Sequence, residues 1–84
     1  MVNFSAVWCV PCQELKPTID KIEKEQSSRV KVVRIDADQN KNLLKVLNIR
    51  GIPQTILFKE GKEIWSKSGV AKENEILEHI KNIS

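Results

Sequence analysis

A chain of 84 residues with 40% hydrophobic and 30% charged content holds material for one domain around one core, and folding at this size buries only roughly 60–65% of the unfolded surface. Its 14 Lys and Arg against 11 Asp and Glu leave a scattered net charge of +3, and aromatics make up only 5%, which argues against nucleic-acid binding, where basic stripes interleave with stacking rings. No apolar run approaches the ~18 residues of a membrane span and the start lacks a signal-peptide pattern, so the chain reads as a soluble, cytoplasmic protein without a membrane partner, export staying compatible if residues precede Met1.

The opening VNFSAV is rich in β-formers and alternates in part, predicting a strand over Val2–Val7 that runs into a cysteine pair. Pro11 suits a first helical turn, and Leu15, Ile19 and Ile22 then recur at helical spacing before the polar KEQSSR. Pro17, inside that helix, is expected to kink it. Val30, Val32, Val33 and Ile35 form a run apolar on both sides, which predicts a strand from Val30 to Asp36 covered by helices on both faces.

Asp38 and Asn40 are expected to cap a short helix carrying Leu43, Leu44 and Leu47, which closes at Asn48, a residue that tolerates the left-handed conformation. The stretch TILFKEGKEIWSKSG reads as two strands joined by a tight turn at Glu60 and Gly61. Ile76, Leu77, Ile80 and Ile83 share one face of a last helix. A helix between two strands implies a parallel crossover. The order β-α-β-α-β-β-α therefore predicts an α/β fold, a mixed sheet of about four strands flanked by helices, in a single domain over residues 1–84.

The chemistry concentrates at Cys9 and Cys12, the chain's two cysteines. A bridge between such near neighbours closes too small a loop to stabilise the fold much. Placing Cys9 just before a helix points unsatisfied N–H groups and the positive helix end at its sulfur, which favours the reactive thiolate. Cys12, one turn later on the same face, is positioned to attack a mixed disulfide formed at Cys9. Two other readings stand beside this one: passive burial, common for cysteine, and half of a zinc site. The zinc reading needs a second copy to supply two more thiolates, because the lone His79 lies off the apolar face of the last helix, where Glu75 one turn earlier makes it a solvated surface residue.

Taken together, FSAVWCVPC, Pro17, GIPQT and the glycine of SKSGV resemble the thioredoxin family, over the whole length of the chain. The resemblance implies a protein thiol:disulfide oxidoreductase in which Cys9 attacks a client disulfide and Cys12 resolves the intermediate, with no cofactor beyond the Cys9–Cys12 disulfide itself. It implies that Pro53, after Ile52, is a cis-proline beside the cysteines. It further implies that Trp8, Val10, Pro11, Ile52, Pro53, Gly69 and Val70 form a small apolar patch that docks clients. The partners would be disulfide-containing proteins and a thioredoxin-reductase-type electron donor. Trp65 has no matching role and reads as packing. A thioredoxin-fold binding or assembly module with weak redox turnover is the alternative function.

Three departures from the family pattern stand out. Asn3 occupies the position of a buried aspartate implicated in proton transfer to or from the resolving thiol, and an amide cannot titrate. Val10 replaces the usual glycine between the cysteines, a place that tunes dithiol against disulfide. The family's first strand and helix have no counterpart here, so the resemblance leaves the strand Val30–Asp36 with an open edge. A homodimer through that edge, a strand exchange or a marginally stable domain is expected.

Overall fold

A computed structural model of the protein describes residues 1–82. Its elements follow the expected order: β1 (Val2–Ser5), α1 (Val10–Glu25), β2 (Val33–Asp36), α2 (Lys41–Val46), β3 (Gln54–Lys59), β4 (Lys62–Ser68) and α3 (Glu73–Asn82). The sheet order is β2-β1-β3-β4, with β1 and β2 parallel and the pairs β1–β3 and β3–β4 antiparallel. Of the residues expected on the face of the last helix, Ile76 and Ile80 are buried and Ile83 lies outside the described residues. No helix among the described residues is long and apolar enough to cross a membrane.

The principal core forms where α1 and α3 cover one face of the sheet. Leu15, Ile19 and Ile22 of α1 meet Leu57 of β3 and Ile76 and Ile80 of α3, with Val30 and Ala71 closing the cluster. Helical spacing brings the first three onto one stripe, so the same residues that define α1 also fix its orientation on the sheet. The helix continues through Pro17, whose ring lies on the exposed side. Its missing N–H leaves the Gln13 carbonyl without an intrahelical donor, a loss that solvent on that side relieves.

Several expectations need correction. β1 ends at Ser5 rather than Val7, because the chain turns there, the Cys9 amide donating to the Ala6 carbonyl at 3.2 Å. β2 is shorter than Val30–Asp36 and is not covered on both faces: its burial is mostly exposed, since it lies at the sheet edge. Val30 belongs instead to the loop after α1, where its amide donates to Gln26 while its side chain joins the core. Neither Asp38 nor Asn40 caps α2 through its side chain. Asn40 Nδ2 donates back to the Asp36 carbonyl and Asp36 Oδ1 accepts from the Asp38 amide, both at 2.8 Å. α2 itself buries none of its residues, so Leu43 and Leu47 contribute less to a core than their spacing suggests.

The turn between β3 and β4 has φ 53° at Glu60 and 80° at Gly61, and Asn48 after α2 has φ 57°. Two successive positive φ values give the hairpin turn whose twist matches its strands. His79 is not the solvated residue expected. Its ring stacks on Trp65, centroids 4.6 Å apart, and Trp65 packs against the core. Helix α3 turns this side of His79 toward the sheet, a contact set by tertiary placement that helical periodicity alone does not contain.

Candidate active site

Cys9 is the N-cap of α1, with extended backbone at φ −88° and ψ 109°. That conformation turns its side chain back over the first helical turn, where the Cys12 amide donates to Cys9 Sγ at 3.2 Å. The two cysteines form a disulfide with a Cα separation of 5.2 Å. A helix start leaves its first amides without intrahelical acceptors and carries partial positive charge. The sulfur of Cys9 therefore satisfies one of those amides, and the same field favours negative charge on Sγ once the disulfide is opened.

The second wall of the site comes from the loop between α2 and β3. The Ile52–Pro53 bond is cis, and the Ile52 carbonyl oxygen lies 3.9 Å from Cys9 Sγ. Ile52 packs against Ala6, Cys9 and Cys12 in a small cluster separate from the main core. Gly69, with φ 88°, donates its amide to the Pro53 carbonyl at 2.8 Å. A positive φ at that position suits glycine, which has no Cβ to strain. Thus the end of β4 holds the Pro53 loop, and the loop in turn faces the disulfide.

The residues expected around Cys9 divide by exposure. Trp8, Val10 and Val70 are exposed hydrophobics, Trp8 at 65%, and Pro11 is exposed as well. Ile52 and Gly69 are half-buried, whereas Pro53 is fully buried and offers no side-chain surface. Both cysteines are only 4% exposed. Two contributors escaped the sequence reading. Val7 is a further exposed hydrophobic beside Trp8, and Asp38, expected as a helix cap, instead accepts a hydrogen bond from the Trp8 indole at 2.8 Å. That bond joins residues 30 apart in sequence, and no local pattern signals it.

Below the disulfide, Asn3 is 6% exposed and donates its side-chain amide to Thr55 Oγ1 at 3.3 Å. Asn3 and Cys12 line a common cleft of about 340 Å³, together with Ser5, Gln13, Lys16 and Arg34. Strand pairing explains the neighbours, since Asn3 is in register with Thr55 on one side and Arg34 on the other. Among the described residues, no three His, Cys, Asp or Glu gather where they would hold a metal ion.

Residues 1–82 match the family model described as Thioredoxin. The chain belongs to the thioredoxin family. It is 41% identical over 80 residues to the thioredoxin of Rickettsia felis, covering 95% of this chain and 76% of that one. Against the thioredoxin of Rickettsia bellii it is 39% identical over 82 residues, 98% and 78% of the two chains. Among solved structures, a variant thioredoxin from Halobacterium salinarum NRC-1 superposes with a TM-score of 0.88 at 30% identity, over 96% of this chain and 70% of that one. The thioredoxin of Fasciola hepatica gives 0.87 at 30% identity, over 99% and 78%. The mixed four-stranded sheet is thus a thioredoxin fold, and the close Cys9–Cys12 pair carries thiol:disulfide oxidoreductase activity of the thioredoxin kind.

Proposed function

We propose that this thioredoxin-family chain acts as one domain that reduces disulfides in client proteins through a Trp-Cys-Val-Pro-Cys centre. Carrying the reading is one observation: Cys9 Sγ at the start of α1, bonded to Cys12 and 3.9 Å from the Ile52 carbonyl. In the reduced chain the Cys9 thiolate attacks one client sulfur. A mixed disulfide forms and the second client sulfur leaves as a thiolate that takes up a proton. Cys12 then loses its proton and attacks Cys9 Sγ, releasing the first client sulfur and closing the Cys9–Cys12 disulfide. Two electrons pass to the client, two protons accompany them, and no cofactor takes part. A reductase-type donor must return both electrons before the next turnover.

Client docking is assigned to Trp8, Val10, Pro11, Ile52, Gly69 and Val70, with Pro53 contributing backbone. Exposed apolar side chains around a backbone-lined loop suit weak, side-chain-tolerant binding of an extended segment. Both cysteines are nearly buried, so a client sulfur must approach Cys9 past the residues that border it.

Asn3 is assigned the altered proton-transfer position. Its amide, held by Thr55, cannot accept the Cys12 proton, so resolution proceeds by water in the adjoining cleft and is the slower step. The site is soluble-phase chemistry suited to a reducing, cytoplasmic setting. Disulfide reduction with insulin as substrate tests the proposal. Activity that disappears in Cys9→Ser supports it, whereas turnover unaffected by that substitution sinks it. A chain that binds clients but never turns over would identify a binding module instead.

A further inference from the structure

We propose that Asp36 accepts the proton of Cys12 when the mixed disulfide is resolved, through water in the cleft below the disulfide; this rests on the disulfide-reducing reading given above. Strand register builds the arrangement. β1 and β2 run parallel with Asn3 opposite Arg34 and Ser5 opposite Asp36, and residues two apart on a strand share a face. All four therefore lie on one face of the sheet. Arg34 bonds to Asp20 and Glu23 of α1, so that face is the one α1 covers. The first two turns of α1 add Cys12, Gln13 and Lys16, and these line the cleft of about 340 Å³ together with the four strand residues.

Elementary chemistry decides which of these side chains can take a proton. Charged Lys16 and Arg34 are donors without an acceptor, and both are already in ion pairs, with Asp20 and with Asp20 and Glu23. The amides of Asn3 and Gln13 do not titrate, and the Ser5 hydroxyl relays protons without holding them. Asp36 supplies the one carboxylate among the described residues that line the cleft. Its strand end is fixed, because the Ala37 amide donates to the Ser5 carbonyl and Asn40 Nδ2 to the Asp36 carbonyl, both at 2.8 Å. The Asp38 amide occupies Oδ1 at 2.8 Å, which leaves Oδ2 to meet water. A polar cleft of this size has room for several waters at about 30 Å³ each. In the step itself, the Cys12 S–H bond breaks as a cleft water takes that proton and passes one of its own to Asp36 Oδ2. The electron pair left on Cys12 Sγ forms the bond to Cys9 Sγ, and the bond from Cys9 to the client breaks. The client sulfur leaves as a thiolate that draws a proton from solvent, and Asp36 returns one to solvent, so the protons balance.

Quench-flow of the reduced chain with a peptide disulfide, the mixed disulfide trapped by acid and quantified by mass spectrometry, reads its formation and its decay separately. Asp36→Asn keeps an Oδ1 acceptor for the Asp38 amide, so formation should be unchanged while decay slows about tenfold to a hundredfold, the low end of general-base effects. Added formate, a carboxylate small enough to enter the cleft, should restore most of the lost rate in Asp36→Asn and leave the original chain unaffected. Asp36→Glu should retain most of the rate, and Asn3→Asp placed in the Asp36→Asn chain should recover it by returning a carboxylate to the cleft. Decay that Asp36→Asn does not slow overturns the proposal, and so does slowed decay that formate leaves unchanged. A mixed disulfide that never forms in the original chain instead overturns the disulfide-reducing reading beneath it. Ser5→Leu, which fills the cleft with apolar bulk, keeps the test open if Asp36→Asn does not fold: decay should slow there too, and an unchanged rate overturns the proposal.

Discussion

On the face of the sheet covered by α1 and α3, Leu15, Ile19, Ile22, Leu57, Ile76 and Ile80 are all at most 1% exposed. Across the sheet, Val33 and Ile64, Leu43 of α2 and Leu47 just after it keep between 36% and 43% of their surface in solvent. Phe4 and Ile56, which alternate onto that second face, are buried, so it is a thin layer and not a bare one. The difference separates two tasks. The covered face anchors the long helix that presents Cys9 and Cys12, and rigid packing there keeps the sulfurs at the helix start. The thin face carries less of the packing and keeps more of its apolar surface in solvent.

The largest expected effect is at the sulfur itself. Cys9→Ser removes the attacking thiolate, and insulin reduction should fall about a hundredfold or more, to the uncatalysed level. Val46→Ala on exposed α2 should leave the rate unchanged. Loss of rate in both would break the division between faces.

Packing gives the next contrast. Ile80→Ala should lower unfolding free energy by about 2–5 kcal/mol, the range for a buried large-to-small change. Leu47→Ala should move it by about 0.5–1 kcal/mol at most, as substitutions on exposed surface do. Urea unfolding midpoints compare them directly, and equal shifts would mean that the thin face is a full core.

Asn3→Asp sharpens the link between the covered face and the site. A carboxyl there is buried beside Cys12 and pushed above its ordinary value by desolvation. Its folded pKa then exceeds its unfolded one, so the added acid is tolerated at low pH and destabilises as pH rises through the folded value. Turnover should gain a titrating limb that the original chain lacks. An unchanged pH–rate profile would remove Asn3 from the proton path.

The smallest effect concerns the rim where the two regions meet. Asp20 is held below the ordinary carboxylate value, first by its hydrogen bond to Lys16 and further by Arg34. Its ion pairs therefore stabilise the fold above the unfolded value of 3.8, and that contribution is lost as pH falls through the lower folded value. Because the group is exposed, Asp20→Asn should lower the melting temperature slightly at pH 6 and not at all near pH 2. A constant difference at both pH values would show that the pair is not what Asn removes.

How much of this was legible in the sequence follows from the range of each interaction. The element order was readable because Leu15, Ile19 and Ile22, or Ile76 and Ile80, announce a helix within a few turns. The cysteine pair was readable because nucleophile, cap and helix start lie within four residues. The edge position of β2 was legible only through resemblance, since Val30, Val32, Val33 and Ile35 look like a doubly covered strand. Asp38 and His79 were misread for one reason: Trp8 and Trp65, their partners, are brought to them by the fold. Local capping and amphipathic rules had already given each residue a plausible but different place.

The stack of His79 on Trp65 and the bond from Trp8 to Asp38 have a practical consequence. Each of the chain's two indoles belongs to a different region, one wedged under α3 and the other standing in solvent beside the disulfide. Their emission is therefore separable by quencher access. A soluble quencher will silence Trp8 first, and the light that remains reports whether α3 is still seated on the sheet.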